Sequence, residues 1–267
     1  MVRASLSNAW DETRAILARD GRLLASVALA LMVLPGMVAD LFPPPPTEGA
    51  LPPLGPWTWL MLATFVLAAI GQLAIIRLAL GTRISVGDSI GHAMRRAPVL
   101  ILASIIWALP FAILLAGLGT QMGDDPKDMP PGVALAVLLL VPVFLFFVVR
   151  LILISPVVSA EAVGPIEVLK RSWTLTAGNW WRLFAFLILY LVTLMVVAGA
   201  VRSIFTVIAK LVLGGVEPMT IGGLLVSVAS QLASAAVAVV FAVMLARIYA
   251  QLAGAGSNRA SVPKTAD

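Results

Sequence analysis

The sequence predicts an all-α integral membrane protein, folded as a bundle of six transmembrane helices. The composition is the first reason, because 61% of the residues are hydrophobic, only 12% are charged, and the mean hydropathy is +1.04, values far from those of a soluble domain. Six long apolar stretches are the second reason. The third is the placement of Lys and Arg, all but three of which fall in connections on one side of the predicted bundle.

Each of the six stretches is long enough to cross a bilayer. A helix rises about 1.5 Å per residue, so about 20 apolar residues cross a hydrocarbon core of roughly 30 Å. Backbone groups in lipid need internal partners, and these stretches do not alternate, so helices are predicted and not barrel strands. The spans are placed near residues 23–42, 57–80, 99–118, 133–155, 180–201 and 221–252, within one membrane domain of residues 1–252.

The basic residues predict that both termini are cytoplasmic, because cytoplasmic connections retain Lys and Arg. The opposite side carries only Lys127, Arg202 and Lys210. The cytoplasmic side carries all the others, which are Arg3, Arg14, Arg19, Arg22, Arg77, Arg83, Arg95, Arg96, Arg150, Lys170, Arg171, Arg182, Arg247, Arg259 and Lys264. We therefore expect a multi-pass protein of a bacterial inner membrane. Residues 253–267 are expected to form a disordered cytoplasmic tail.

A threefold pattern runs through the chain, because each odd-numbered span follows a short polar segment. These segments, residues 6–20, 84–98 and 165–179, are predicted to be amphipathic interfacial helices, with ordinary polar loops as the alternative. Their apolar stripes are Ala9, Trp10, Ile16 and Leu17 in the first, Val86, Ile90 and Met94 in the second, and Ile166, Leu169, Trp173 and Thr176 in the third. The pattern predicts three repeated units, each an interfacial helix followed by a helix hairpin.

Each even-numbered span carries an arginine near its cytoplasmic end, namely Arg77, Arg150 and Arg247. Together with Arg171 of the third interfacial segment, these are the candidate residues for binding anionic lipid headgroups, because a guanidinium can bind phosphate with two parallel hydrogen bonds. Two other interpretations stay open. The arginines could cap carbonyl groups of a neighbouring helix, or could only snorkel to the headgroup layer and fix the helix ends.

Proline residues within the spans predict kinks. Pro35, Pro110 and Pro142 each remove a backbone hydrogen bond, and the resulting kinks could open a groove for a lipid chain. Residues 203–213, between the fifth and sixth spans, are predicted to be an interfacial helix on the outer side, with a re-entrant element as the alternative.

The sequence offers few groups for catalysis or metal binding. Cysteine is absent and His92 is the only histidine, so neither a metal nor a cofactor is expected. Asp88 lies four residues before His92, which raises the idea of an acid-base pair, although a surface histidine is the preferred interpretation. No carboxylate lies at the centre of a span, which argues against proton-coupled pumping.

A polar stripe on the sixth span consists of Gln231 with Ser227, Ser230 and Ser234. Such small and hydrogen-bonding residues are typical of helix packing in membranes, which we prefer here over a path for a substrate.

Residues 164–184, with the sequence GPIEVLKRSWTLTAGNWWRLF, carry a family resemblance. The run KRSWTLT, the following Gly-Asn pair and the next Trp and Arg resemble the bacterial membrane-domain family named after glycerophosphoryl diester phosphodiesterase. The resemblance implies helix hairpins with interfacial helices, in a domain that occurs alone or ahead of a soluble catalytic barrel. Such a barrel needs about 250 residues, so we expect neither the barrel nor its phosphodiesterase activity in this chain.

The leading functional hypothesis is a non-enzymatic, lipid-interacting scaffold or lipid-handling module, with anionic membrane lipids as partners. A small-solute transporter or permease is the alternative, and an intramembrane enzyme acting on phospholipid is a third possibility. Nucleic acid is not an expected partner, because the pI near 10.2 is explained by the arginines at the inner leaflet and no separate basic domain is present.

Overall fold

The structure, a computed structural model, describes residues 5–44, 54–81, 84–121, 130–217 and 220–260, with side chains through Gly254. Within these ranges all regular structure is helical, and six helices are long and apolar enough to cross a membrane. The helices are α1 (Leu6–Ala28), a π-helical segment (Leu29–Val33), α2 (Leu34–Leu41), α3 (Pro56–Leu80), α4 (Val86–Gly119), α5 (Pro131–Arg150), α6 (Ile154–Ala160), α7 (Pro165–Thr176), α8 (Trp180–Leu213) and α9 (Ile221–Ala260). The predicted all-α bundle of six spans is confirmed.

The first span contains a π-helical segment between α1 and α2. This segment ends at Val33, two residues before Pro35, which has no N–H to donate to the preceding turn. The other predicted kink positions, Pro110 and Pro142, lie inside the unbroken helices α4 and α5. The rotation of the chain after the π-helical segment decides which way α2 faces.

Only the third predicted interfacial segment is a separate helix, α7. Gly178, with φ of +80°, follows α7 and turns the chain into α8. The first and second segments are instead the opening turns of the helices that continue across the membrane, α1 and α4. Helix α4 continues past Pro98, although this residue has no backbone N–H to donate.

The three segments bury small side chains at the same spacing from their helix starts. Ser5, Ser85 and Gly164 precede the three helices, and the positions four and eight residues later are fully buried. These positions hold Ala9 and Thr13, Ser89 and Ala93, and Val168 and Ser172. By contrast, bulky members of the predicted apolar stripes are exposed, among them Trp10, Met94 and Ile166. Small side chains allow close helix packing. The remaining stripe members are buried or pack against the core, among them Ile16, Ile90, Leu169 and Trp173. The threefold repeat itself stays a prediction.

Two helices extend beyond their predicted ends. Residues 203–213 form neither a separate interfacial helix nor a re-entrant element, because they continue α8 without a break as far as Gly214, whose φ of +80° ends the helix. Helix α9 continues past Leu252 to Ala260, so the first part of the predicted disordered tail is helical; residues 261–267 lie outside the described residues.

The core of the bundle lies toward the cytoplasmic ends of α3 and α9, as the predicted topology defines them. Helix α9 packs against α8, α1 and α3, while α3 also packs against α4 and the short helix α6. Fully buried side chains concentrate there, including Leu73, Ile75, Ile76, Leu153, Val157, Val158, Leu245 and Ile248. The outer halves of α4, α5 and α8 expose mostly apolar side chains, as expected for surfaces in contact with lipid. Polar groups are therefore found at the two ends of the bundle.

Candidate functional site

Arg77, near the end of α3, differs from the other three candidate arginines. Its side chain is half-buried, and it makes no hydrogen bond or salt bridge with any residue in the described part of the chain. It lies within electrostatic range of His92 on α4. The guanidinium therefore leaves its donors available at the predicted cytoplasmic end of the bundle.

Arg150, at the end of α5, lies against aromatic rings. Its guanidinium carbon is 4.8 Å from the centre of the Trp173 ring and 5.5 Å from that of Phe146, distances typical of cation–π contacts. Its Nη1 donates to the carbonyl of Trp173 at 3.4 Å. In return, the carbonyl of Arg150 accepts from Ser172 Oγ at 3.1 Å and Thr176 Oγ1 at 3.0 Å. Arg150 therefore joins α5 to α7.

Arg171 and Arg247 both have carboxylate partners. Arg171 Nε donates to Glu161 Oε1 at 3.0 Å, and the hydroxyl of Tyr249 donates to the same oxygen at 2.8 Å. Arg247 Nε on α9 forms a salt bridge with Glu12 of α1. Arg150 donates to a backbone carbonyl of another helix, as the capping alternative requires, whereas Arg171 and Arg247 pair with carboxylates. Binding of lipid headgroups by these arginines stays a prediction.

Arg96 is a residue whose role the sequence did not indicate. Its Nε donates to the carbonyl of Val158 at 3.0 Å, and its Nη2 donates to the carbonyls of Glu161 and Val163 at 2.7 and 2.8 Å. These carbonyls lie at and just beyond the end of α6, where a helix leaves its last acceptors unpaired and carries partial negative charge. Arg96 therefore caps α6 and attaches the segment leading into α7.

His92 takes part in the same contact and not in an acid-base pair. Its Nε2 lies 3.0 Å from the carbonyl oxygen of Ser159. Asp88 instead accepts a hydrogen bond from Ser85 Oγ at 2.6 Å at the start of α4. His92 contacts α6, and Asp88 contacts Ser85 at the start of α4, so the suggested His92–Asp88 pair is not formed.

At the opposite end of the bundle, polar side chains meet around Asp40, which lies next to the last residue of α2. Asp40 Oδ2 accepts hydrogen bonds from Ser227 Oγ at 2.6 Å and from Gln231 Nε2 at 3.1 Å. Gly36 makes this contact possible, because a Cβ atom there would lie 2.5 Å from Gln231 Oε1. Helix α2, which follows the π-helical segment, therefore brings the carboxylate of Asp40 into contact with the polar stripe of α9.

Two cavities of about 390 Å³ each lie beside Asp40, and we call them the Asp40–Arg202 cavities. Both are lined by Asp40, Arg202 and Ser230. One extends toward Pro43 and the α8–α9 turn, and the other runs along α8 past Met195. Ser230 Oγ is buried and has no hydrogen-bond partner among the described residues. The charge of Asp40 and Arg202 could have been noticed in the sequence, but their proximity could not.

The polar lining does not continue along α9 toward the cytoplasmic end. Beyond Ser234 the first buried positions of α9 are Ala235, Val239 and Ala242, which are 7%, 7% and 1% exposed. The stripe of Gln231 and its serines is thus a local polar patch above an apolar, closely packed helix interface.

One family profile matches almost the whole chain. It covers residues 1–252 and is described as a domain of unknown function, DUF7847. The chain belongs to the DUF7847 family. No curated protein and no solved structure matches it.

Within this DUF7847 member, the two polar regions differ in what they can do chemically. In the part of the chain that the structure describes, no three His, Asp or Glu side chains are grouped as metal ligands. The region at the predicted cytoplasmic end offers arginine N–H donors, and the carboxylate of Glu161 there already accepts hydrogen bonds from Arg171 and Tyr249. The Asp40–Arg202 cavities offer a cation, an anion and an unpaired hydroxyl in one space. Both arrangements suit the binding of charged groups, and the family description adds no activity to them.

Proposed function

We propose that the protein is a non-enzymatic lipid-handling module of a bacterial inner membrane, with both termini in the cytoplasm, and that it binds the phosphate of anionic phospholipids at Arg77. The observation that carries this proposal is the half-buried guanidinium of Arg77, which has no hydrogen-bond or salt-bridge partner in the described part of the chain. The other candidate arginines contribute mainly by holding α5, α7 and α9 to their neighbours, which is the scaffold part of the proposal.

The physical argument is the cost of a partly desolvated charge. Removing a charged group from water is unfavourable unless an opposite charge or hydrogen-bond acceptors replace the lost hydration. Arg77 lies near the cytoplasmic end of its span, where the headgroup layer of a bilayer supplies phosphate. The nearby Arg95 and Arg96 add positive charge, since both act electrostatically on the adjacent His92. No acidic side chain among the described residues contacts Arg77. We therefore expect a phosphate anion, and not a carboxylate of the protein, to supply the opposite charge.

The test is the Arg77→Gln variant, with Arg14→Gln as a matched control. Arg14 is an exposed arginine near the same end of the bundle, and it too makes no hydrogen bond in the described part of the chain. Hydrogen bonds to a charged group contribute about 1.5–3 kcal/mol, so we expect Arg77→Gln to weaken binding of phosphatidylglycerol by about tenfold or more. Titration of the purified protein with phosphatidylglycerol, followed by native mass spectrometry, measures this.

The control should lose less than about twofold, because an exposed charge contributes little in water. Equal losses in both variants would show that only overall charge matters, and an unchanged affinity of Arg77→Gln would refute the proposal.

A small-solute permease is the second candidate, and the Asp40–Arg202 cavities are the observation in its favour. A permease needs a polar path across the bundle, whereas the buried α9 positions that follow Ser234, beginning with Ala235, Val239 and Ala242, are apolar. Because the chain has no cysteine, single-cysteine variants test this directly. We expect Ser227→Cys to react with a charged, water-soluble thiol reagent and Ala242→Cys to be inert from either side. Reaction at position 242 would favour the permease.

A further inference from the structure

We propose that the Asp40–Arg202 cavities form a second lipid-binding site, at the end of the bundle opposite Arg77, for a headgroup that contains both a phosphate diester and a primary ammonium group. Phosphoethanolamine is the simplest group with this chemistry. The proposal is independent of headgroup binding at Arg77, because the two sites share no residue.

The charges of the two cavities carry the first step. Arg202 and Asp40 line the same space, yet these two described side chains form no salt bridge with each other. Arg202 makes no hydrogen bond to any described residue, so its planar guanidinium can bind a phosphate with two parallel hydrogen bonds. Opposite charges that face one cavity without pairing match a ligand that itself carries both charges.

The hydrogen bonds of Asp40 carry the second step. Ser227 and Gln231 both donate to Oδ2, which fixes the carboxylate and leaves Oδ1 without a partner among the described residues. An ionised carboxylate oxygen can accept further hydrogen bonds. A primary ammonium group can donate them, whereas a quaternary ammonium group has no N–H. The buried hydroxyl of Ser230, which lines both cavities and lacks a partner, supplies one more polar contact.

The position of Arg202 points to a membrane lipid as the source of the headgroup. Arg202 follows the first residue of α8, Trp180, by 22 residues, which corresponds to about 33 Å of helix at 1.5 Å per residue. That length is close to the thickness of the hydrocarbon core, roughly 30 Å, so Arg202 reaches the headgroup level opposite Trp180. The cavity along α8 is also walled by Met195, which is 78% exposed on the surface that faces lipid. An acyl chain can therefore leave the cavity sideways along α8.

The experiment compares lipids of equal chain length that differ only in the headgroup. The purified full chain is titrated with phosphatidylethanolamine, phosphatidylcholine or phosphatidylglycerol, and bound lipid is counted by native mass spectrometry. We expect phosphatidylethanolamine to bind at least fivefold more tightly than phosphatidylcholine. Asp40→Asn should bring this ratio close to one, because the carboxylate is lost while Asn can still accept from Ser227 and Gln231. Arg202→Gln should weaken binding of phosphatidylethanolamine by about tenfold.

Two matched controls remove charge near the same end of the bundle. Lys210 is exposed on α8 and Glu217 is exposed beside α9, and neither lines the cavities. Lys210→Gln and Glu217→Gln should keep both the affinity and the headgroup preference. Arg77→Gln should keep the preference for phosphatidylethanolamine as well, so that failure of either proposed site is visible separately.

Three outcomes would overturn the proposal. The first is equal binding of the three lipids by the wild-type protein. The second is a loss in Lys210→Gln as large as that in Arg202→Gln. The third concerns the source of the headgroup: tight binding of soluble phosphoethanolamine, with no preference for phosphatidylethanolamine, would assign the cavities to a free solute.

Discussion

Replacing Arg96 by alanine should lower the free energy of unfolding by about 3 kcal/mol, because three carbonyl groups at the end of α6 would lose a charged donor. An unpaired buried acceptor costs about 1–3 kcal/mol; the carbonyl of Val158 belongs to a fully buried residue, and the other two lie in half-buried residues. The segment from α6 to α7 should loosen as a result. Thermal unfolding in detergent, followed by circular dichroism, measures the change.

Arg95 provides the matched control for this prediction. It is the next residue in the sequence, but its side chain is exposed and bonds only to the carbonyl of Gly91 within its own helix. Arg95→Ala should change stability by less than about 0.5 kcal/mol. Arg96→Lys should be intermediate, since one ammonium group cannot reproduce the geometry of the guanidinium. If Arg95→Ala and Arg96→Ala destabilised equally, the capping role of Arg96 would be wrong.

Replacing Gly222 by alanine should destabilise the protein by about 1–3 kcal/mol, as expected for an overpacked site. A Cβ atom at this position would lie 2.0 Å from the carbonyl oxygen of Gly215 and 3.3 Å from the Cβ atom of Ala209. The contact with Gly215 involves the backbone of the turn that follows α8, so this turn must move away from α9 to admit the methyl group. The α8–α9 turn borders the Asp40–Arg202 cavities, and we therefore expect binding of phosphatidylethanolamine to weaken together with the melting temperature.

The Gly91→Ala variant separates the steric effect of an added Cβ atom from the effect of helix propensity. A Cβ atom at Gly91, within α4, would meet no other atom within 4 Å. Alanine favours a helix interior over glycine by about 0.5–1 kcal/mol, so Gly91→Ala should be neutral or stabilising. Destabilisation by both variants would point to a general intolerance of glycine replacement, and stabilisation by Gly222→Ala would contradict the close approach of the two helices.

Arg95 and Arg96 illustrate why the cytoplasmic region was only partly predictable. Both were assigned to the cytoplasmic side by charge alone, but adjacent residues of a helix point about 100° apart, and the sequence does not say which one faces the bundle. The acceptors of Arg96 lie 62 to 67 residues away. The same limit applies to Arg77, Arg150 and Arg247, which occupy similar places in their spans but differ in their partners.

The predicted stripes of the interfacial segments show a related limit. Hydrophobic periodicity selected Ile16 and Thr176, which are buried, but it also selected Trp10, Met94 and Ile166, which are exposed. In a membrane protein large apolar side chains can also face lipid, so periodicity alone does not separate every lipid-facing position from the packed face. Attention to small residues four apart would have found the packed face.

The sequence alone determined the class of the protein, the six spans and the absence of cysteine, because length, hydropathy and composition are local properties that act before any tertiary contact forms. The boundaries near Leu80 and Trp180 agree with those of α3 and α8 for this reason. Only the tertiary structure decided that Arg77 has no bonded partner in the described part of the chain, and that Asp40 meets Gln231 across 191 residues of sequence. Such pairings depend on the rotation of each helix about its own axis. A π-helical segment or a single glycine changes that rotation, and the hydropathy of the sequence contains no information about it.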